Sequence, residues 1–223
     1  MSCRTAAKIG LIAQIVFCLG WLVAPIWQGQ KYSPLAHTIS DMYAVTAPYG
    51  WVLVILITLC GLATATFIFF GLWPHFRGQG SLGLFGILLL GLSIFSLGDS
   101  LTPFERMACR LADSECTPDS QTANLGGTLD AVLSSVGVVA FMISCFILAA
   151  ALTKIPHWKP LAWPARITGV VIALAMFAIA PTQEIGLGGL MERIVALVGA
   201  AALAAVALRV MRLPEPQPAS GLV

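Results

Sequence analysis

Long apolar runs constrain this chain more than any other feature of its sequence. About 18 or more predominantly apolar residues in succession are enough to cross the hydrocarbon core of a membrane as a helix. The 223-residue chain contains such runs at about 7–27, 50–73, 81–101, 129–153, 163–182 and 188–209. Because backbone polar groups in lipid must bond to one another, each run is predicted to be a helix. The sequence therefore predicts an all-α, polytopic transmembrane helical bundle with six spans.

Composition agrees with this class and disfavours others. Only 10% of the residues are charged and the mean hydropathy is +0.91, whereas soluble domains carry about 25% charged residues. The short alternating segments typical of a membrane β-barrel do not occur, and no glycine-rich loop suggests nucleotide binding. We predict one six-helix domain over residues 1–212, followed by a short disordered tail at 213–223 because that end is rich in proline.

The charges are divided unequally between the two ends of the predicted bundle. The end that holds both termini and the loops 74–80 and 154–162 carries eight of the twelve Lys and Arg residues and a single acid. The opposite end carries the other nine Asp and Glu residues. We call these the basic end and the acidic end. Because short cytoplasmic loops are enriched in Lys and Arg, both termini are predicted to be cytoplasmic.

Two cysteines, Cys109 and Cys116, lie in the polar loop between the third and fourth predicted spans, at the acidic end. If this end lies outside the cytoplasm, its oxidising surroundings permit a disulfide. Metal binding by the pair is the rival interpretation, which is disfavoured because no second cysteine or histidine pair stands nearby. We predict the disulfide, and we expect the other charged residues of this loop to form a solvated surface.

The segment LAHTISDMYAVTAPY, residues 35–49, places three reactive side chains between the first two spans. If the segment is helical, His37 and Asp41 lie four residues apart on one face, with Ser40 within reach. These three are the catalytic candidates, because the arrangement resembles part of a nucleophile–base–orienter set. The spacing is specific for no reaction, and an interfacial turn held by polar contacts is the favoured interpretation.

Further ionisable residues stand at the acidic ends of the other spans, where charges tend to face the bundle interior and to pair. Asp99 or Asp130 would complete a weakly indicated metal site with His37 and Asp41. Asp130 is explained equally well as a carboxylate near a helix N-terminus. Arg193 either extends to the lipid headgroups or pairs with Asp99 or Asp41, and pairing is favoured. The candidate binding residues are Asp99, Asp130, Glu184, Glu192 and Arg193.

Two stretches resemble a known family. The run YSPLAHTISDMYAVTAPYGW resembles the Y-x-P-x-x-x-x-I-S-D-L-x-A-x-x-A-P stretch of the domain-of-unknown-function 998 proteins, which are multi-pass membrane proteins of bacteria and archaea. GLMERI, at the start of the last span, resembles the G-L-x-E/Q-R-I of the same family. The resemblance covers about residues 7–210 and implies a helical bundle in a prokaryotic cell membrane, but no reaction. Members often carry a histidine where GGTLD places Asp130. The matching motif positions are Ser40, Asp41, Glu192 and Arg193.

Three functional classes fit these observations. The favoured one is a non-enzymatic inner-membrane protein that binds a lipid headgroup or small ligand at an outward-facing polar cluster, or serves as an accessory or sensing subunit. The alternative is an intramembrane hydrolase or transferase acting on lipid headgroups. In that scheme His37 is the base, Ser40 the nucleophile or a donor, Asp41 or Asp99 the orienter or metal ligand, and Arg193 the phosphate ligand. A proton- or ion-coupled carrier ranks third, because the charges cluster at one end and no inverted repeat is evident. We expect membrane lipids as partners, and neither a cofactor nor nucleic acid.

Overall fold

The computed structural model describes residues 1–216, and every regular element among them is helical. The α-helices of this part of the chain are α1 (Cys3–Val23), α2 (Gly50–Thr66), α3 (Ser81–Gly91), α4 (Asp99–Leu101), α5 (Pro118–Gln121), α6 (Leu125–Leu152), α7 (Ala162–Glu184) and α8 (Gly188–Arg212). Short 3-10 and π-helical turns extend several of them. The predicted all-helical class is confirmed.

Within residues 1–216, five continuous helical segments are long and apolar enough to cross a membrane. They are Cys3–Trp27, Gly50–Phe76, Leu125–Leu152, Lys159–Glu184 and Gly188–Arg212. The remaining predicted span is a bent pair, Ser81–Gly91 and Ile94–Phe104, whose halves meet at 40°. The chain is therefore a multi-pass membrane protein, with five candidate spans among residues 1–216, or six if the bent pair counts as one.

The bend in the third span has a local cause. Ser93 adopts an extended backbone conformation and stops α3 two residues after Gly91. Its hydroxyl donates a 2.6 Å hydrogen bond to the carbonyl of Leu90, which also accepts the N–H of Ser93 at 3.2 Å, so the last turn of α3 is closed locally. A glycine and a serine close together, here Gly91 and Ser93, are a common place for a helix to kink. The following π-helical turn, Ile94–Gly98, leads directly to Asp99.

Small residues let the helices around this bend approach closely. A Cβ added to Gly61 of α2 would collide with the backbone of Ser100, and one added to Gly199 of α8 would collide with the ring of Phe95. Close backbone approach of this kind is the usual means of packing membrane helices. The second half of the bent span is therefore held between α2 and α8, and this fixes the position of Asp99.

Two connecting segments at the acidic end interlock, and we call residues 28–49 and 105–124 together the cap. Arg106 donates hydrogen bonds of 2.9 Å to the carbonyls of both Tyr43 and Ala44. The N–H of Val45 donates to the carbonyl of Met107 at 2.9 Å. The cap therefore joins the α1–α2 connection to the connection that precedes α6.

The cap also contains the predicted disulfide. Cys109 and Cys116 are bonded, with their Cα atoms 5.9 Å apart, which confirms the prediction. Beside them, Arg110 forms an ion pair with Asp113 at 2.6 Å and donates to the carbonyl of Gln28 at 2.9 Å. The loop is thus an ordered part of the cap.

The predicted tail, 213–223, is only partly described, since residues 217–223 lie outside the described part of the chain. Residues 213–216 have no regular secondary structure and lie beside the start of α1. There the Glu215 carboxylate accepts the N–H groups of Cys3 at 3.1 Å and Arg4 at 3.2 Å. These are N–H groups that the first turn of a helix leaves without intrahelical partners.

Candidate functional site

A cavity of about 450 Å³ lies at the acidic end, directly beneath the cap. Its roof is formed by Thr38, Ile39, Ser40 and Tyr43 of the cap, and its walls come from all the long helices and the bent span. Most of the wall surface is apolar. The larger apolar side chains are Phe17, Ile57, Phe95, Val138, Met176 and Val195.

Three acidic side chains from three different elements line this cavity: Asp99 of α4, Asp130 of α6 and Glu192 of α8. Asp130 accepts a 3.1 Å hydrogen bond from the hydroxyl of Tyr43, and Glu192 accepts one of 2.5 Å from the N–H of Ile39. The Asp99 side chain bonds to no residue in 1–216. Each acid therefore keeps at least one carboxyl oxygen that has no hydrogen-bond partner in the described chain.

Arg193 follows Glu192 in the sequence, but its guanidinium does not pair with an acid of the described chain. It donates to the carbonyls of Pro34 at 2.6 Å and His37 at 2.8 Å, and to the hydroxyl of Tyr32 at 2.6 Å. Arg193 is only 9% exposed. Its role is to fasten the first half of the cap to α8, and neither pairing considered from the sequence is formed.

The cavity consequently has acids without compensating bases. No Lys, Arg or His of residues 1–216 lines it. Within the same residues the only ion pair is that between Arg110 and Asp113, which lies in the cap. Buried carboxylates without partners are costly, and they are stabilised by protons or by a cation. The chemistry of this lining therefore suits a positively charged group.

A fourth acid, Glu105, lies in the cap and does not line the cavity. It is 2% exposed, and one of its carboxyl oxygens has no hydrogen-bond partner among the described residues. Burial, together with the charge of nearby Asp130, raises the pKa of Glu105 from 4.5 to about 8. The sequence predicts a solvated loop residue here because Glu105 lies in a polar run; only its place directly after the apolar third span hinted at burial.

The three catalytic candidates do not converge on one another. The Nδ1 atom of His37 accepts the N–H of Ser33 at 2.9 Å, and its ring lies 5.4 Å from that of Tyr32. Ser40 lines the cavity roof, where its hydroxyl donates to that of Thr38 at 3.2 Å. The segment is a series of turns followed by a 3-10 helix, Ser40–Tyr43, so the helical spacing assumed for these side chains does not apply.

Asp41 belongs to the cap and not to the cavity. It is fully buried, and one carboxyl oxygen accepts the N–H of Leu111 at 3.0 Å and the side-chain amide of Gln121 at 2.8 Å. Burial raises the pKa of Asp41. Since His37 and Asp41 lie in the cap while Asp99 and Asp130 line the cavity, the four do not form the metal site considered from the sequence.

Glu184 is exposed at the end of α7 and does not line the cavity. Other polar residues that the sequence did not single out as binding candidates do line it. They are Ser134 and Ser135 of α6 and Gln183 of α7. Ser134 stands four residues after Asp130, so the helical period places both on one face.

The two stretches that carry the family resemblance contact each other. The backbone of Ile39 donates to Glu192, and the backbone of His37 accepts from Arg193. The Glu-Arg pair of the second motif thus binds the backbone of the first. The contact joins two stretches that lie more than a hundred residues apart in the chain.

Comparison with known proteins gives one match. A search of curated proteins and a search of solved structures find no significant match. A family model described as protein of unknown function (DUF998) matches residues 11–209 of the 223-residue chain. That range includes the cap, the cavity and both motifs. The chain belongs to the DUF998 family of proteins of unknown function.

Proposed function

We propose that this protein binds an amphiphile with a cationic head in the cavity at its acidic end. One observation carries the proposal: three carboxylic acids line a mainly apolar cavity of about 450 Å³ to which no base of residues 1–216 contributes. Ligand cavities of about 300–1,000 Å³ typically combine apolar walls with a few polar groups that orient the ligand. An ammonium head would satisfy the free carboxyl oxygens, and a hydrocarbon body would pack against the walls.

The same lining argues against an anionic headgroup. A phosphate placed among Asp99, Asp130 and Glu192 would meet like charges, and the guanidinium of Arg193 is occupied by cap carbonyls. Phosphate recognition normally relies on an available Arg or Lys. The scheme with His37, Ser40 and Arg193 acting on a lipid phosphate therefore receives no support from the geometry. A binding or sensing role fits better than that enzymatic one.

The proposal includes an orientation in the membrane. We place the basic end in the cytoplasm and the acidic end outside, in the inner membrane of a prokaryotic cell. The excess of Lys and Arg at the basic end supports this orientation, and the Cys109–Cys116 disulfide at the acidic end suits an oxidising compartment. The family resemblance supports a prokaryotic cell membrane. The cavity then lies at the level of the outer leaflet.

The test compares ligands that differ only in the charge of the head. Detergent-solubilised protein is titrated with decylammonium, decanol and decanoate while thermal unfolding is followed. A ligand at about 100 times its dissociation constant stabilises a protein by about 2.7 kcal/mol, so we expect a rise of the melting temperature with decylammonium alone. Equal stabilisation by decanol, or none by decylammonium, would refute the proposal.

Amide variants locate the binding site. In Asp130→Asn and Glu192→Gln the amide oxygen still accepts the bond from Tyr43 or Ile39, while the negative charge is lost. Because a hydrogen bond to a charged group contributes about 1.5–3 kcal/mol, we expect each variant to weaken decylammonium binding about 10- to 100-fold. Glu184→Gln, at an exposed acid that does not line the cavity, is the matched control and should bind as the wild type does.

A further inference from the structure

We infer that the ligand enters this cavity sideways from the lipid bilayer, through the seam between α6 and the last nine residues of α7. The natural ligand of the cavity is then a membrane lipid with a net positive headgroup and not a dissolved amine. The inference rests on the proposed function and deepens it by naming the source of the ligand. It depends on three features: a closed roof, a loosely held wall and polar residues at the opening.

The roof of the cavity is tied down on the side of α8. The N–H of Leu190 donates to the carbonyl of Leu35 at 2.9 Å, and the N–H of Gly189 donates to that of Ala36 at 3.2 Å. The contacts of Arg193 reinforce this joint, and those of Arg106 hold the other half of the cap. A solute that came from water through the roof would have to break these bonds.

The wall formed by α7 is held by the first part of the helix, from Ala162 to Ala175, and not by its last nine residues. The buried residues of α7 are Ala162, Thr168, Gly169, Ile172 and Ala175. After Ala175 no residue of this helix is buried in the described structure, although Met176, Ile179, Ala180 and Gln183 line the cavity. Segments with few buried contacts open at the lowest free energy.

Pro181 loosens the same stretch further. It lies inside α7, where it has no N–H to donate to the carbonyl of Phe177, four residues earlier. Gly186, just beyond the helix, has a φ of 73°, a backbone conformation that glycine adopts without strain. The last turns of α7 therefore have a weakened hydrogen-bond ladder and a glycine-containing turn at their end, which suits a wall that moves outward.

The opening itself carries polar groups on a surface that faces lipid. Ser135 of α6 and Ala180 and Gln183 of α7 line the cavity and are also exposed, so they lie at its mouth. Nearby on the same helices, Val136 is 60% and Phe177 is 84% exposed, as expected for side chains that contact hydrocarbon. A hydroxyl and an amide in this position can bond to a polar headgroup as it passes between the two helices.

The experiment measures the loading rate of a bilayer-borne ligand. The full-length protein in phosphatidylcholine proteoliposomes receives pyrene-labelled hexadecylammonium from donor vesicles, and butylammonium in water serves as the small soluble ligand. In Ala180→Trp the indole narrows the mouth. We expect loading of the lipid probe in this variant to slow at least ~10-fold relative to the wild type. Leu174→Trp, at an exposed α7 position outside the cavity lining, is the matched control and should load at the wild-type rate.

A second measurement leaves the mouth unchanged. Reduction of the Cys109–Cys116 disulfide loosens the cap, so entry through the roof would become faster, whereas entry through the seam keeps its rate. Faster loading after reduction, or an unchanged loading rate in Ala180→Trp, would overturn the inference. If the wild type binds butylammonium but not the lipid probe, the inference fails and the proposed function stands. If it binds neither, the proposed function fails.

Discussion

Replacement of Arg193 by methionine should destabilise the protein by removing the joint between the cap and α8. The guanidinium donates four hydrogen bonds, to the carbonyls of Pro34, His37 and Gly189 and to the hydroxyl of Tyr32. Methionine keeps much of the side-chain volume but donates none of them. Because Arg193 is 9% exposed, water replaces few of these bonds.

The magnitude follows from these contacts. A hydrogen bond to a charged group contributes about 1.5–3 kcal/mol, and a buried acceptor left without its donor costs about 1–3 kcal/mol. Since several neutral acceptors lose their donor together, we expect Arg193→Met to lower the free energy of unfolding by about 3–5 kcal/mol. Arg193→Lys should lose about 2 kcal/mol, since a single ammonium does not reach all four acceptors.

Thermal unfolding in detergent measures the effect. A loss of this size lowers the melting temperature by about 10 °C for a chain of this length. Arg166→Met is the control, because Arg166 is exposed at the basic end and its replacement should change the free energy of unfolding by less than about 0.5 kcal/mol.

A double-mutant cycle separates this explanation from an ion pair. Combined with Tyr32→Phe, the effect of Arg193→Met should be non-additive by about 1 kcal/mol or more, because the two side chains are bonded. Combined with Asp99→Asn it should be additive. If Asp99→Asn restores the stability of Arg193→Met, the arginine neutralises that acid, and the reasoning from the carbonyl contacts is refuted.

Three further predictions concern the cap. The pKa of Glu105 is raised from 4.5 to about 8, so above about 4.5 the folded state holds a proton that the unfolded state releases. The stability that this difference contributes is complete below about 4.5 and is lost as the pH rises through 8; unfolding at a series of pH values should show this fall, and Glu105→Gln should flatten it. Reduction of the Cys109–Cys116 disulfide should lower the free energy of unfolding by about 2–3 kcal/mol. A membrane-impermeant thiol reagent should label these cysteines in cells only after reduction, and labelling before reduction would contradict the disulfide. Gly189→Ala should lower the melting temperature in the same assay, since an added Cβ collides with the carbonyl of His37; an unchanged melting temperature would contradict this close approach.

The sequence predicts the bundle well because hydrocarbon imposes a single rule on each span. A run of apolar residues must be helical whatever its neighbours are, so the long helices follow from hydropathy alone. The exception is the third span, where Ser93 interrupts the helix. A Gly and a Ser inside an apolar run are common in continuous membrane helices, so their presence does not by itself locate a bend.

The candidate site was less predictable, because its geometry depends on backbone groups. Charge counting placed Asp99, Asp130 and Glu192 at one end of the bundle, and all three line one cavity. The direction of Arg193 could not be predicted, because its acceptors are carbonyls whose availability is set by the turns of the cap. For the same reason the positions of His37, Ser40 and Asp41 could not be predicted. A helix over residues 35–43 would place them on one face, whereas the observed turns separate them.

Asp130 shows why the acids of the cavity require a functional explanation. Helix α6 begins at Leu125 and is capped by Asn124, whose side chain accepts the N–H of Gly127 at 2.7 Å. Asp130 therefore lies beyond the first turn, where the effect of the helix dipole has largely fallen off. Its one hydrogen bond in the described structure comes from Tyr43. Stabilisation of the helix N-terminus consequently does not account for a carboxyl group that is 7% exposed.

The same reasoning predicts opposite effects of amide substitution on stability and on binding. A desolvated carboxylate without a cation destabilises a fold by several kcal/mol, whereas an amide of the same shape carries no charge to desolvate. Asp99→Asn should therefore raise the melting temperature of the ligand-free protein above that of the wild type while it weakens decylammonium binding. Stability sacrificed for activity is common where a site must hold unpaired charge. A variant that loses both stability and binding would instead mean that Asp99 is a structural partner within the bundle.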